Sequence, residues 1–307
     1  MPHGLPASAA TLATGVAGLL GPDAGAAVLP ALALGLLFVP YVLFGLTKTR
    51  PPRSLAWAPA LLAPYLLYSL GTRTFDGLAL ARLAGYVALP TLLVSLSRER
   101  KGSRLFDLAA ILAIWLPFDL SLLAGIWTWP RPDGAPFFQT VLAVDLALFL
   151  FVARRGLDGI GYRFVLTPRH AAVVLVNFVS FSIVAIPLGL AIGFLRYEPR
   201  PFDALELLSS FLATLVIIGI PEELLFRGLI QNVLEQWWGK GWLSLAVAAL
   251  VFGAAHLNNG GFPNFRYALL ATVAGVFYGR AFRQGGNLMP AALVHTLVDA
   301  MWVALFR

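Results

Sequence analysis

The sequence predicts an all-α fold, a polytopic integral membrane helix bundle of about 8–10 transmembrane helices. Three observations predict it. Hydrophobic residues make up 59% of the chain and charged residues only 12%, about half the roughly 25% of an ordinary soluble domain. Mean hydropathy is +0.81. The apolar residues also fall into runs near the roughly 20 residues that a helix needs to cross a bilayer, with short basic loops between them.

In chain order, the runs place candidate spans near 25–46, 55–70, 77–97, 106–127, 136–153, 171–195, 204–220, 242–257, 267–283 and 288–305. Polar punctuation separates them at Thr47 to Arg53, Arg98 to Arg104 and Arg154 to Arg169. Residues Ala7 to Leu20 are apolar but too short to span, and no Lys or Arg precedes Lys48, so the start lacks the basic segment of a cleavable signal peptide. No internal repeat is visible, and no polar gap is long enough to form a soluble domain.

The net charge of +7 does not point to nucleic acid, because the bases sit in loops where they act as topology signals. One set of loops holds Lys48, Arg50, Arg53, Arg98, Arg100, Lys101, Arg104, Arg154, Arg155, Arg163 and Arg169; the opposite set holds only Arg73, Arg131, Arg196 and Arg200. The first set is expected on the cytoplasmic side, which puts the end of the seventh span near the cytoplasm. The Ala-, Gly-, Leu- and Arg-rich composition fits a bacterial inner membrane protein. Three charges fall inside the N-terminal spans: Arg82, Asp119 and Asp145. They share no spacing, so a buried ion pair or polar patch that fixes packing is expected over an ion path.

Several chemistries are excluded. The chain has no cysteine, which removes disulfides, a thiol nucleophile and thiolate metal sites. It has no His-Glu-x-x-His, no Gly-x-Ser-x-Gly and no phosphate-binding Gly-x-x-x-x-Gly-Lys, so nucleotide-driven work is not expected.

What remains is concentrated in the last third. Ile220-Pro221-Glu222-Glu223-Leu224-Leu225-Phe226-Arg227 puts two carboxylates and a guanidinium at the end of an apolar run, at a cost of about 3 kcal/mol per charge on insertion scales. Glu223 and Arg227 are four apart and share a helical face; Glu222 is turned about 100° away. Phe252-x-x-x-His256 and His295-x-x-x-Asp299 follow. Of the four histidines, His3 and His170 lie in a tail and a polar loop, where solvation accounts for them; His256 and His295 lie in or at the end of apolar runs. Gly239-Lys240-Gly241 reads as a turn between helices. Glu222 and His256 lie about 27 and 24 Å from it at 1.5 Å per residue, so an antiparallel pair brings them to one height with room for a water. His295, about 13 Å above the Gly285-Gly286 turn, fits this level less well. The set Glu222, His256 and His295 could also hold a divalent metal such as zinc. No organic cofactor is expected.

These three patterns, in this order, resemble the CPBP family of CAAX-processing and bacteriocin-processing intramembrane proteases, which includes the Rce1-type endopeptidases. The resemblance covers roughly Leu205 to Leu305 and departs at Asp299, where the Rce1-type enzymes carry Asn. It divides the chain into residues 1–165, N-terminal transmembrane helices of unassigned role, and residues 166–307, a CPBP-like catalytic bundle. It implies hydrolysis of peptide bonds in membrane-associated or leader-peptide substrates. Glu222 would then serve as general base, with His256 positioning the water or a metal. Glu223, Arg227 and Phe252 would support them, and His295 and Asp299 would stabilise the oxyanion or orient one another. The competing readings are a non-catalytic scaffold or bacteriocin-immunity protein of the same fold, and a proton-coupled transporter; against the latter stands the lack of an inverted repeat.

Overall fold

The computed structural model describes residues 24–47, 55–99, 104–128, 136–201 and 203–307. His3, the stretch Ala7 to Leu20, and Lys48, Arg50, Arg53, Arg100, Lys101 and Arg131 lie outside the described residues. The described residues are helical, without strands, apart from one isolated bridge between Tyr197 and Phe306. Six helical segments are long and apolar enough to cross a membrane. The chain divides into two compact units, whose described parts lie within Leu12–Asp158 and Gly159–Arg307.

The first unit holds α1 (Ala24–Leu46), α2 (Trp57–Ala60), α3 (Ala63–Thr72), α4 (Gly77–Glu99), α5 (Arg104–Asp119) and α6 (Pro136–Ala147), which continues as π-helix through Leu148–Arg154. α1 packs along α3, and α4 along α5. The span expected near 55–70 is instead two short helices. Pro59 and Pro64 each lack the N–H that a continuous helix needs in its interior. The span expected over 106–127 also stops early. Pro117 sits in its last turns, and Ser121 (φ 54°) and Gly125 (φ 76°) turn the chain back. Trp127 then stacks on Phe138, centroids 4.9 Å apart, and meets Tyr68 edge-on.

The charges inside this unit are held by separate means. The Arg82 guanidinium donates to the carbonyls of Leu122 and Ala124, in the turn after α5. Asp145 is 2% exposed, and neither carboxylate oxygen makes a hydrogen bond. An ion pair in this unit joins other residues: Arg155, partly exposed, forks onto buried Asp107, with Nε at 3.0 Å from one oxygen and Nη2 at 3.2 Å from the other.

The second unit holds α7 (Pro168–Ala191), α8 (Ala204–Trp238), α9 (Trp242–Ala254), α10 (Phe265–Gly285) and α11 (Leu288–Leu305). α10 is the central helix, packed against α7, α9 and α11, while α8 lies against α9 and α11. Each start has a sequence cause. Thr167 caps α7 ahead of Pro168, where a missing N–H is harmless; Asn264 caps α10 and Asn287 caps α11 through their side-chain oxygens. Gly239 (φ 79°) ends α8 and Gly286 (φ 70°) ends α10, the left-handed conformations that glycine adopts at low cost. His170 corrects the solvation reading. It is buried in the first turn of α7, and its Nδ1 donates to the Val165 carbonyl at 3.1 Å, because the Thr167-Pro168 cap folds that turn back on the preceding chain.

α8 is one continuous helix well beyond the expected end at 220. It changes pitch twice, with π-helical turns at Leu215–Gly219 and Leu224–Gln231 and a short α segment, Ile220–Glu223, between them. Pro221 cannot donate, and the wider turns on either side accommodate it within the helix. The Glu222-Glu223 pair thus sits on the α-helical step between two π-turns. α9 is only 13 residues long, and α10 carries Arg266, Arg280 and Arg283, so neither is among the six long apolar segments.

Candidate active site

The site is built on α8, α9, α10 and α11. On α8, Glu223 and Arg227 make the expected i,i+4 pair, Nη1 to Oε1 at 3.0 Å, with side chains 0% and 2% exposed. The guanidinium lies 4.3 Å above the Phe252 ring and 5.1 Å from the Tyr278 ring centroid. Two aromatic faces and one carboxylate therefore surround a cation that would otherwise be costly to bury. Phe252, from α9, has a packing role here: it also meets Phe226 edge-on at 4.9 Å.

His295, from α11, brings the first and third patterns together. Its Nδ1 lies 2.9 Å from Glu223 Oε1, the oxygen that also accepts from Arg227. Its Nε2 faces Glu222 Oε2 at 3.8 Å and Asp299 Oδ2 at 3.6 Å. One imidazole thus stands among three carboxyl groups. Glu222 is the outermost: its side chain is 36% exposed, yet Oε2 itself is buried and makes no hydrogen bond.

His256 lies on a cavity wall. It follows the end of α9, half-buried, and its Nδ1 donates to the Phe252 carbonyl at 2.8 Å. A carbonyl only accepts, so Nδ1 carries the proton and Nε2 is left as the acceptor of the neutral ring. No hydrogen bond or ion pair joins His256 to Glu222; the imidazole opposite Glu222 is that of His295. Helix rise alone fits His295 to the level of Glu222 less well, yet the two side chains stand 3.8 Å apart, where α11 approaches α8 closely. A β-carbon on Gly219 would lie 2.6 Å from Thr296 Oγ1 and 3.1 Å from the Ala292 carbonyl. The bare backbone of α8 rests directly on α11 there, one turn from the carboxylates.

A cavity of about 60 Å³ opens beside this cluster, room for a few waters. Its polar wall is His256, Tyr267, Tyr278, His295 and Asp299, and the rest of its lining is largely apolar, from α7, α10 and α11. Glu222 does not line it and meets the polar wall through His295. Among the described residues, no three His, Asp or Glu side chains are grouped so as to hold a metal ion. Glu222, His256 and His295 are not grouped as a metal centre here: His295 Nε2 is 3.8 Å from Glu222 Oε2, and His256 stands apart with Nδ1 on the Phe252 carbonyl.

Two tyrosines escaped the sequence reading. The Tyr278 ring stacks on His295, centroids 4.7 Å apart and planes 19° from parallel. Tyr267 packs on His256 at 4.9 Å. The signal that could have drawn attention to Tyr278 is Gly275-x-x-x-Gly279, the small-residue spacing of closely packed membrane helices. A β-carbon at Gly275 would lie 2.9 Å from Ala249 Cα, and Arg227 Nη2 donates to the Gly275 carbonyl at 3.4 Å.

Fold and site together define a multi-pass, all-α membrane protein with a buried carboxylate–imidazole centre. Residues 204–301 match the family of type II CAAX prenyl endopeptidases, Rce1-like. The matched segment runs from the start of α8 into α11 and takes in every residue of the cluster. It is consistent with a CPBP, Rce1-type protease and supports an intramembrane endopeptidase of the CAAX type in general terms, with a bilayer and peptide substrates as its partners. No curated protein and no solved structure matches the chain.

Proposed function

We propose that α8–α11 hydrolyse peptide bonds of membrane-associated or leader-peptide substrates, using water activated by Glu222. The reading rests on one observation: His295 lies within 3.8 Å of Glu222, 2.9 Å of Glu223 and 3.6 Å of Asp299, so the first and third patterns form one cluster, which Phe252 of the second joins beneath the Arg227 guanidinium. In the reaction, a water oxygen bonds to the substrate carbonyl carbon as its proton passes to Glu222. The C–N bond then breaks, and that proton goes to the leaving amine. Arg227 holds Glu223, and Glu223 holds His295 through Nδ1, so the face of the imidazole toward Glu222 and Asp299 is fixed. His256 presents Nε2 to the cavity as a hydrogen-bond acceptor for water or a substrate N–H.

The scaffold reading also has an observation behind it, since the Arg227–Glu223–His295 chain is itself a buried link between α8 and α11. Glu222 separates the two. Its Oε2 makes no hydrogen bond and meets His295 only at 3.8 Å, so it adds little to such a link, and a buried carboxylate oxygen without a hydrogen bond is costly unless it is used. The test is comparative proteomics of membranes carrying wild-type or Glu222→Gln protein, with and without a chelator. Substrates that persist uncut only with Glu222→Gln, irrespective of chelator, support a carboxylate-activated water. Identical proteomes support the scaffold. The excess of bases in one set of loops supports a site open toward the cytoplasm.

A further inference from the structure

A tetrahedral intermediate needs a hydrogen-bond donor for its oxyanion, and the cavity wall offers few. Asp299 is a carboxylate and only accepts. His256 Nδ1 is engaged by Phe252 and His295 Nδ1 by Glu223, while His295 Nε2 is turned to Glu222 and Asp299 at 3.8 and 3.6 Å. Tyr267 packs on His256 and Trp302 rather than on His295. Trp302 has an indole N–H, but it lies seven residues beyond His295, about 10 Å along α11, packed against Phe194 and Tyr267. Tyr278 remains. Its side chain is 2% exposed and lines the cavity. No hydrogen bond engages its hydroxyl, and the oxygen is not among the fully enclosed unsatisfied atoms of the described residues, so it is open to the cavity. The ring is held by stacking on His295 and by the Arg227 guanidinium at 5.1 Å, and it meets Phe252 edge-on. A donor fixed on three sides needs little reorganisation when charge develops.

We infer that the Tyr278 hydroxyl is the catalytic donor that stabilises the oxyanion, the part that the carboxylate of Asp299 cannot play. This rests on the hydrolase reading above. The carbonyl π pair moves onto oxygen as water adds, and Tyr278 donates a hydrogen bond to that oxygen without giving up its proton. The proton balance with Glu222 and the leaving amine is unchanged.

The test uses the full-length protein in detergent micelles with a library of internally quenched fluorescent peptides. It compares wild type, Tyr278→Phe, Tyr278→Leu and Glu222→Gln. Removing one oxyanion donor lowers kcat by about 10²–10³-fold. Tyr278→Phe keeps the stacked ring, so it is expected to lose kcat by that order, with KM within a few-fold and the thermal midpoint unchanged. A phosphonate peptide, which carries fixed anionic oxygens in a tetrahedral geometry, gives a second readout. Tyr278→Phe is expected to weaken its binding at least tenfold and leave the parent peptide's binding unchanged. If Tyr278→Phe matches wild type while Tyr278→Leu loses both stability and activity, the ring acts only by packing and the inference falls. If Glu222→Gln cleaves as wild type does, the base assignment falls, but a kcat loss in Tyr278→Phe still stands for the hydroxyl. If the wild type cleaves none of the library, the hydrolase reading falls and the donor role falls with it.

Discussion

Gly219 of α8 and Thr296 of α11 are in backbone-to-side-chain contact: a β-carbon on the glycine would sit 2.6 Å from Thr296 Oγ1. This contact sets the spacing of the two helices that carry Glu222 and His295. Gly219→Ala is expected to force them apart and lower stability by about 1–3 kcal/mol, the usual cost of overpacking. Activity should fall with it, because the 3.8 Å approach of His295 to Glu222 depends on that spacing. Thr296→Ala in the same chain should restore part of both losses, since the Ala292 carbonyl at 3.1 Å still crowds the site. Thermal unfolding in detergent and peptide cleavage, measured on the three variants, check this.

The adjacent glutamates should separate cleanly. Glu223→Gln leaves the Arg227 guanidinium buried beside a neutral amide, and breaking such a pair costs about 3–5 kcal/mol. Adding Arg227→Met should recover much of that loss, because it removes the orphaned charge. Glu222→Gln should leave the thermal midpoint within a degree or so of wild type. It should lower cleavage by at least about 10²-fold, the contribution of a positioned base. A large stability loss in Glu222→Gln would instead make it a structural residue.

His256→Ala removes a half-buried ring whose one hydrogen bond goes to the carbonyl one turn back. Stability should change by about 1 kcal/mol or less, the worth of that bond. Cleavage should fall steeply, because the acceptor Nε2 on the cavity wall is lost. The ratio of kcat loss to stability loss, read against Phe252→Leu, distinguishes this from a packing defect.

Arg82 is tied to the turn after α5 through the Leu122 and Ala124 carbonyls. Arg82→Met should destabilise the first unit by about 1.5–3 kcal/mol, the range for hydrogen bonds from a charged donor. The kcat of the folded fraction should stay at the wild-type value. Limited proteolysis at Leu120 to Trp127 would report the loosened turn.

Much of this was legible in the residues themselves. Apolar run lengths gave the helical membrane fold, and the four-residue spacing gave the Glu223–Arg227 pair. What the one-dimensional pattern could not carry was the third direction, across the helices. Rise per residue compared His256 and His295 along the bilayer normal, but which imidazole meets Glu222 is decided by lateral approach, and Gly219 and Thr296 set that. The pitch changes around Pro221 were hidden as well, because a proline in sequence reads as a break, whereas flanking π-turns let the helix run on. Arg82 reads as part of an ion pair or a polar patch; its partners are backbone carbonyls, which leave no mark in the sequence. Tyr278 gave no charge signal and was visible only through the glycines beside it.

α8 spans 35 residues without interruption, roughly 50 Å at 1.5 Å per residue, while the hydrocarbon layer is only about 30 Å deep. Such a rod must lean or project from the bilayer to relieve the mismatch. Glu222 lies near its midpoint, so a change of inclination alters how deep the carboxylate sits. The acyl-chain length of the surrounding lipids thereby becomes a control on how readily water reaches the centre, acting on the protein from outside any binding pocket.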